Sequence, residues 1–125
     1  MSNNFELLQL ATLRLSQDGP IKDRLIDAYD CHLSAVEPDD LPEELRSEFD
    51  MLCAAMHRES PQSRESAVRA SVRKMSVMEA REYAAMVVRL FAGMARFDAA
   101  RCAAAAAARG ARTPGHVVQL FATES

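Results

Sequence analysis

The chain has 125 residues, 49% of them hydrophobic, with four glycines and no tryptophan. That length fits one domain that can bury a core without disulfide or metal staples. The net charge of −3 and an odd number of cysteines, three, argue against a strongly basic nucleic-acid binder and against a closed disulfide framework. Ala, Leu, Met, Arg and Glu are abundant and no stretch sustains an alternating strand pattern, so the expected fold is all-α.

In chain order, Asn3 or Asn4 can cap a first helix that runs to about Gln17, where Asp18-Gly19-Pro20 supplies a turn. Leu7, Leu8, Ala11 and Leu15 form its core stripe. Leu10 and Leu13 project to the other side beside Glu6, Gln9 and Arg14, which is unusual for a surface. A second helix begins at Pro20, a favoured first-turn residue, and runs to about Val36, because Pro38 disfavours helical geometry at Glu37. Ile21, Leu25, Ala28, Tyr29 and Val36 make its apolar side. Asp23, Asp27 and Asp30 line the reverse as an acidic solvent face, with Lys22 and Arg24 near enough to compensate.

The third helix opens in Asp40-Leu41-Pro42-Glu43-Glu44, with Asp40 as the expected cap and the glutamates in the first turn, where the helix dipole favours negative charge. Leu45, Phe49, Leu52 and Met56 recur at helical spacing, and the helix fails before Ser60-Pro61. A short fourth helix spans about Arg64 to Met75, with Val68, Val72 and Met75 inward. Ser76 and Glu79 then form a Ser-x-x-Glu capping box that starts a long fifth helix, from Val77 to about Ala108. Ala80, Ala84, Val87, Phe91 and Met94 fall on one line of it, flanked by Tyr83, Leu90, Val88 and Ala95. Phe91 is the expected centre of that buried arc. Asp98 ends the line while helix-forming alanines continue, so the helix is expected to outrun its core. Four main helices and one short one, briefly connected, suggest an antiparallel bundle over residues 1–110. Residues 111–125, after Gly110 and around Thr113-Pro114-Gly115, are expected to be a loose tail.

Glu6 and Asp18 interrupt the first helix and its flank, so the start lacks a signal peptide's basic entry and unbroken apolar core. No later segment approaches twenty apolar residues. A soluble cytoplasmic protein without membrane contact is therefore expected. Residues 1–60 carry 5 Lys/Arg against 13 Asp/Glu, and residues 61–125 carry 10 against 5. Such halves can attract one another within the fold or across an oligomer, or present one acidic and one basic face to partners.

Motifs of chemistry are absent: there is no phosphate-binding glycine loop, no Gly-x-Ser-x-Gly and no His-Glu-x-x-His. Cys53 and His57 are one helical turn apart, and Cys31-His32 would have to complete a zinc site. Adjacent residues point about 100° apart on a helix, which makes convergence difficult. No metal and no cofactor are expected. His32, on the apolar side of its helix, is the residue best placed to sense pH. Arg69 and Arg73 share one face of the short basic helix, but the helix after it is too apolar to read base edges. The reading that follows is a small protein-interaction or regulatory module that forms a homodimer, using the surplus apolar positions Leu10, Leu13, Met78 and Met86. The alternatives are a nucleic-acid-associated regulator using Arg69 and Arg73, or an enzyme or metal protein using His32 or Cys53 and His57.

Overall fold

In the computed structural model, which describes residues 3–61 and 63–110, the chain is all-α. Five α-helices, α1 (Asn4–Leu15), α2 (Ile21–Cys31), α3 (Glu43–Met56), α4 (Ala67–Lys74) and α5 (Val77–Gly110), are joined by turns. Two 3₁₀ turns, Leu33–Ala35 and Pro38–Asp40, lie between α2 and α3. The chain divides into two compact units, Met1–Met94 and Ala95–Ser125, with the division inside α5. The expected tail, 111–125, lies outside the described residues. No helix among the described residues is long and apolar enough to cross a membrane.

In the first unit, α1 packs on α2, α2 on α4, and α3 on α4. Leu8, Ala11 and Leu15 of α1 join Leu25, Ala28 and Tyr29 of α2, Phe49, Leu52 and Met56 of α3, and Val68 and Val72 of α4 in one core. Leu7 and Ile21, expected inside, are only half-buried at its edge. The rest of the core comes from α5: Ala80, Ala84, Met86, Val87, Leu90 and Met94. The buried side of that helix is therefore turned by roughly 40°, at 100° per residue, away from Val88 and towards Met86. Leu90 is fully buried, whereas Phe91 is half-buried and stacks on Phe5 of α1 with ring centroids 5.6 Å apart. Gly93, which the apolar periodicity conceals, lies on the side towards which the buried face is turned. A Cβ at that position would lie 2.7 Å from Leu45 Cδ2, so the missing side chain lets α3 lean on this side of α5.

The helix ends follow tertiary hydrogen bonds more than local caps. Neither Asn3 nor Asp40 caps a helix: α1 and α3 begin with no side-chain cap bond, and Asp40 sits in the 3₁₀ turn. Asn4 instead is buried, donating from Nδ2 to the Glu37 carbonyl at 2.9 Å and accepting from the Glu37 N–H at 2.9 Å. This two-bond clamp ties the extended Glu37 to the start of α1, and α2 stops at Cys31, where His32 leaves helical geometry at φ −131°, rather than running to Val36. Leu33 and Val36 still reach the core from the 3₁₀ turn. Before α3, the Arg46 guanidinium donates to the carbonyls of Asp39 and Leu41 in the turn that leads into the helix. α4 is shorter than the periodicity suggests because Ser66, accepting from the Arg69 N–H at 3.1 Å, caps it after Arg64. Half of the expected capping box forms at α5: Ser76 Oγ accepts from the Glu79 N–H at 3.0 Å, while the Glu79 carboxylate pairs with Arg58 at 3.1 Å.

Within the second unit, the described side chains from Ala99 to Arg109 are all exposed. Arg101 lies 5.8 Å above the Phe97 ring and 3.5 Å from Asp98 Oδ1. These contacts are local to one helical turn.

Candidate functional site

α3 brings Cys53 and His57 to the same side, but they serve packing and helix termination. His57 ends α3, exposed, with Nδ1 3.0 Å from the Cys53 carbonyl oxygen and its ring edge-on to Tyr29 at 5.6 Å between centroids. The half-buried Cys53 thiol is hydrogen-bonded to the Tyr29 hydroxyl. Burial, reinforced by that thiol, pushes the Tyr29 hydroxyl far above the ordinary phenol range. Burial also raises the Cys53 thiol, against a smaller lowering by its bond to Tyr29. A nucleophilic or metal-binding thiol needs the opposite shift. Cys31 is exposed and His32 half-buried where α2 ends. Among the described residues no group of three or more His, Cys, Asp or Glu is placed to hold a metal ion.

Arg69 and Arg73 share a face of α4 but meet different neighbours. Arg73 is held by Glu65 through two bonds of 2.8 and 3.0 Å, and this pairing keeps the Glu65 carboxyl below its usual range. Lys74 pairs with Glu59 at 3.0 Å. Arg69 lines a cleft of about 320 Å³ with Arg14, Pro20, Asp23, Ile26 and Asp27. Arg14 crosses from α1 to pair with Asp27 at 2.6 Å. Lys22 and Arg24, expected to compensate the α2 aspartates, donate instead to the carbonyls of Arg73 and of Leu15 and Gly19. The basic helix thus faces carboxylates of its own chain, and these local pairs dilute its pull on phosphate.

The surplus apolar positions separate into two groups. On α1, Leu10 and Leu13 remain 37% and 51% exposed while Leu8, Ala11 and Leu15 fill the core. On α5, Met78 is 68% exposed, but Met86, expected in solvent, is 9% exposed and belongs to the core. The rotation of α5 towards Gly93 draws it in. Met86 instead forms part of the floor of a surface groove of about 410 Å³ between α3 and α5. Met51, 59% exposed, rises from α3 on one side, and Tyr83 and Ala85 complete the apolar lining. Glu79, Glu82 and Arg89 supply its polar rim. Arg89 donates twice to Glu48 across the helices, at 3.1 and 2.9 Å, and Arg58 bonds both Glu79 and the Tyr83 hydroxyl. Met78, Glu82, Ala85 and Arg89 recur at four, three and four residues, so Met78 lies about one turn before the groove's α5 side, on the same line of that helix.

Sequence periodicity identifies Met78 as unexplained but misses Met51, because Met51 sits beside the strong Phe49–Leu52–Met56 stripe and reads as an isolated surface methionine. Its significance depends on which helix lies opposite. No family model, curated protein or solved structure matches the chain.

Proposed function

We propose that the protein is a small cytoplasmic interaction or regulatory module that works through helix faces and pairs with a second copy of itself through the outer face of α1. The observation that carries this reading is the exposure of Leu10 and Leu13 on a helix whose Leu8, Ala11 and Leu15 already fill the core. Two-fold pairing would bury the same patch on both copies at once. Two leucines are well short of the roughly 800 Å² per partner of a durable interface. The pairing therefore extends over Glu6, on the same line of α1, and Gln17 just beyond its end, and is readily reversible.

Sedimentation tests it. At tens of micromolar the protein should sediment as a dimer, and Leu10→Glu/Leu13→Glu should give a monomer with unchanged helical circular dichroism. A native protein that stays monomeric over that range would overturn the pairing. A DNA gel shift that weakens steeply with salt and is lost in Arg69→Ala/Arg73→Ala would favour a nucleic-acid role instead.

A further inference from the structure

We infer that the groove between α3 and α5 is the docking site for a cationic amphipathic helix of a partner protein, an inference that rests on the interaction-module reading but uses a different surface from α1. Three features support this occupant. The first is the apolar lining: Met51 at one side and Met86 below are unbranched and polarizable and repack around apolar side chains of varied shape. A helix laid in such a groove inserts residues at i, i+3, i+4 and i+7.

The second is the charge of the walls. Glu79 and Glu82 border the groove on α5, and Glu48 of α3 is joined to it through Arg89. Arg89 answers Glu48 and Arg58 answers Glu79. Glu82 has no ion-pair partner among the described residues, so one carboxylate of the groove's lining is left without a cation. An apolar strip bordered by carboxylates is complementary to a helix with leucine-like residues on one face and Lys or Arg at its borders.

The third is the state of the rim cations. The Arg89 guanidinium is fixed on Glu48 and that of Arg58 on Glu79, so neither is free to meet an acidic ligand. With these pairs formed, the exposed Glu82 carboxylate is the rim charge that remains to attract a cationic helix.

The test uses the full chain and two labelled 14-residue peptides with Leu at the i, i+3, i+4, i+7 and i+11 positions, one carrying Lys and the other Glu elsewhere. Fluorescence anisotropy should show the Lys peptide binding at least tenfold more tightly than the Glu peptide. Met51→Arg should weaken the Lys peptide at least tenfold, and Glu82→Lys at least threefold with a shallower salt dependence. Asp30→Lys, an equal charge change on exposed α2, controls for general attraction to an acidic protein and should leave binding within twofold. Circular dichroism of each variant should match the native spectrum, since Met51 and Glu82 are exposed. Equal binding of the two peptides, indifference to Met51→Arg, or equal weakening by Asp30→Lys and Glu82→Lys would overturn the inference. Dimerisation through Leu10 and Leu13, read by sedimentation of the same samples, distinguishes a failed groove from a failed interaction module.

Discussion

The two parts of α5 have similar helix-forming composition and opposite surroundings. From Ala80 to Met94 the helix contributes Ala80, Val87, Leu90 and Met94 to the core, whereas from Ala99 to Arg109 every described side chain is exposed. Alanine supports both stretches equally well by intrinsic propensity. What differs is the apolar period, which fills the core side up to Met94 and is interrupted by Asp98. Helix formation and helix burial are thus separate properties of this sequence, and only the first is shared along the whole of α5.

The largest expected effect is at the centre of the buried part. Leu90→Ala should destabilise the protein by about 3 to 5 kcal/mol in denaturant unfolding, the range for a fully enclosed leucine that leaves a cavity. A loss near 1 kcal/mol would mean that this side of α5 is not the core side. Phe91→Ala should cost about 2 kcal/mol, less than for an enclosed phenylalanine, because the ring is half-buried and the substitution chiefly removes its stacking on Phe5. If Phe91→Ala proves more damaging than Leu90→Ala, the rotation of α5 towards Gly93 is wrong.

The Gly93 contact allows a sharper test of the same rotation. Alanine in a helix interior is favoured over glycine by about 1 kcal/mol, but here its Cβ would displace the tip of Leu45. Gly93→Ala should therefore be close to neutral in the native chain and stabilising by about 1 kcal/mol in a Leu45→Ala background. Equal effects in the two backgrounds would remove Leu45 as the reason for the glycine.

Thiol chemistry separates the same environments without changing stability. Cys53 is half-buried with its thiol raised above the ordinary value, while Cys102 on the exposed part of α5 is open to solvent. At pH 8 a disulfide reagent should label Cys102 and Cys31 rapidly and Cys53 slowly. Because the folded thiol holds its proton more tightly than the unfolded one, the Cys53 contribution to stability is present below the ordinary thiol value of about 9 and is lost as pH rises through the folded value. Rapid labelling of Cys53 at pH 8 in the folded protein would contradict its burial.

The helical class, the five helices and most core positions are legible because apolar residues recur at helical spacing in each segment. Ser76 announces the start of α5 for the same local reason. The misplaced features depend on residues distant in sequence. The Asn4 clamp on Glu37 is invisible until the chain folds back. Met86 reads as solvent-facing because Gly93, a helix-weakening residue by propensity, gives no hint that Leu45 comes to rest there. The groove is legible only in part: Met78 stands out alone, while Met51 acquires its meaning from α5 opposite. Arg73 reads as free because Glu65 precedes the helix and returns to it only through the turn at Ser66.

The smallest expected effect lies at the end of α5. Ala104→Gly/Ala107→Gly should shift the thermal midpoint by no more than about a degree if that stretch melts independently, whereas each substitution would cost about 1 kcal/mol in a helix that unfolds with the core. Native-state hydrogen exchange measures the difference between the two parts of α5 most directly. Amides from Ala84 to Met94 should exchange only through global unfolding, with protection free energies equal to the denaturant stability, and those from Ala103 onward should exchange within a few tens of fold of unprotected peptide rates. Uniform protection along the whole helix, or fast exchange at Leu90, would contradict a core that ends before Asp98.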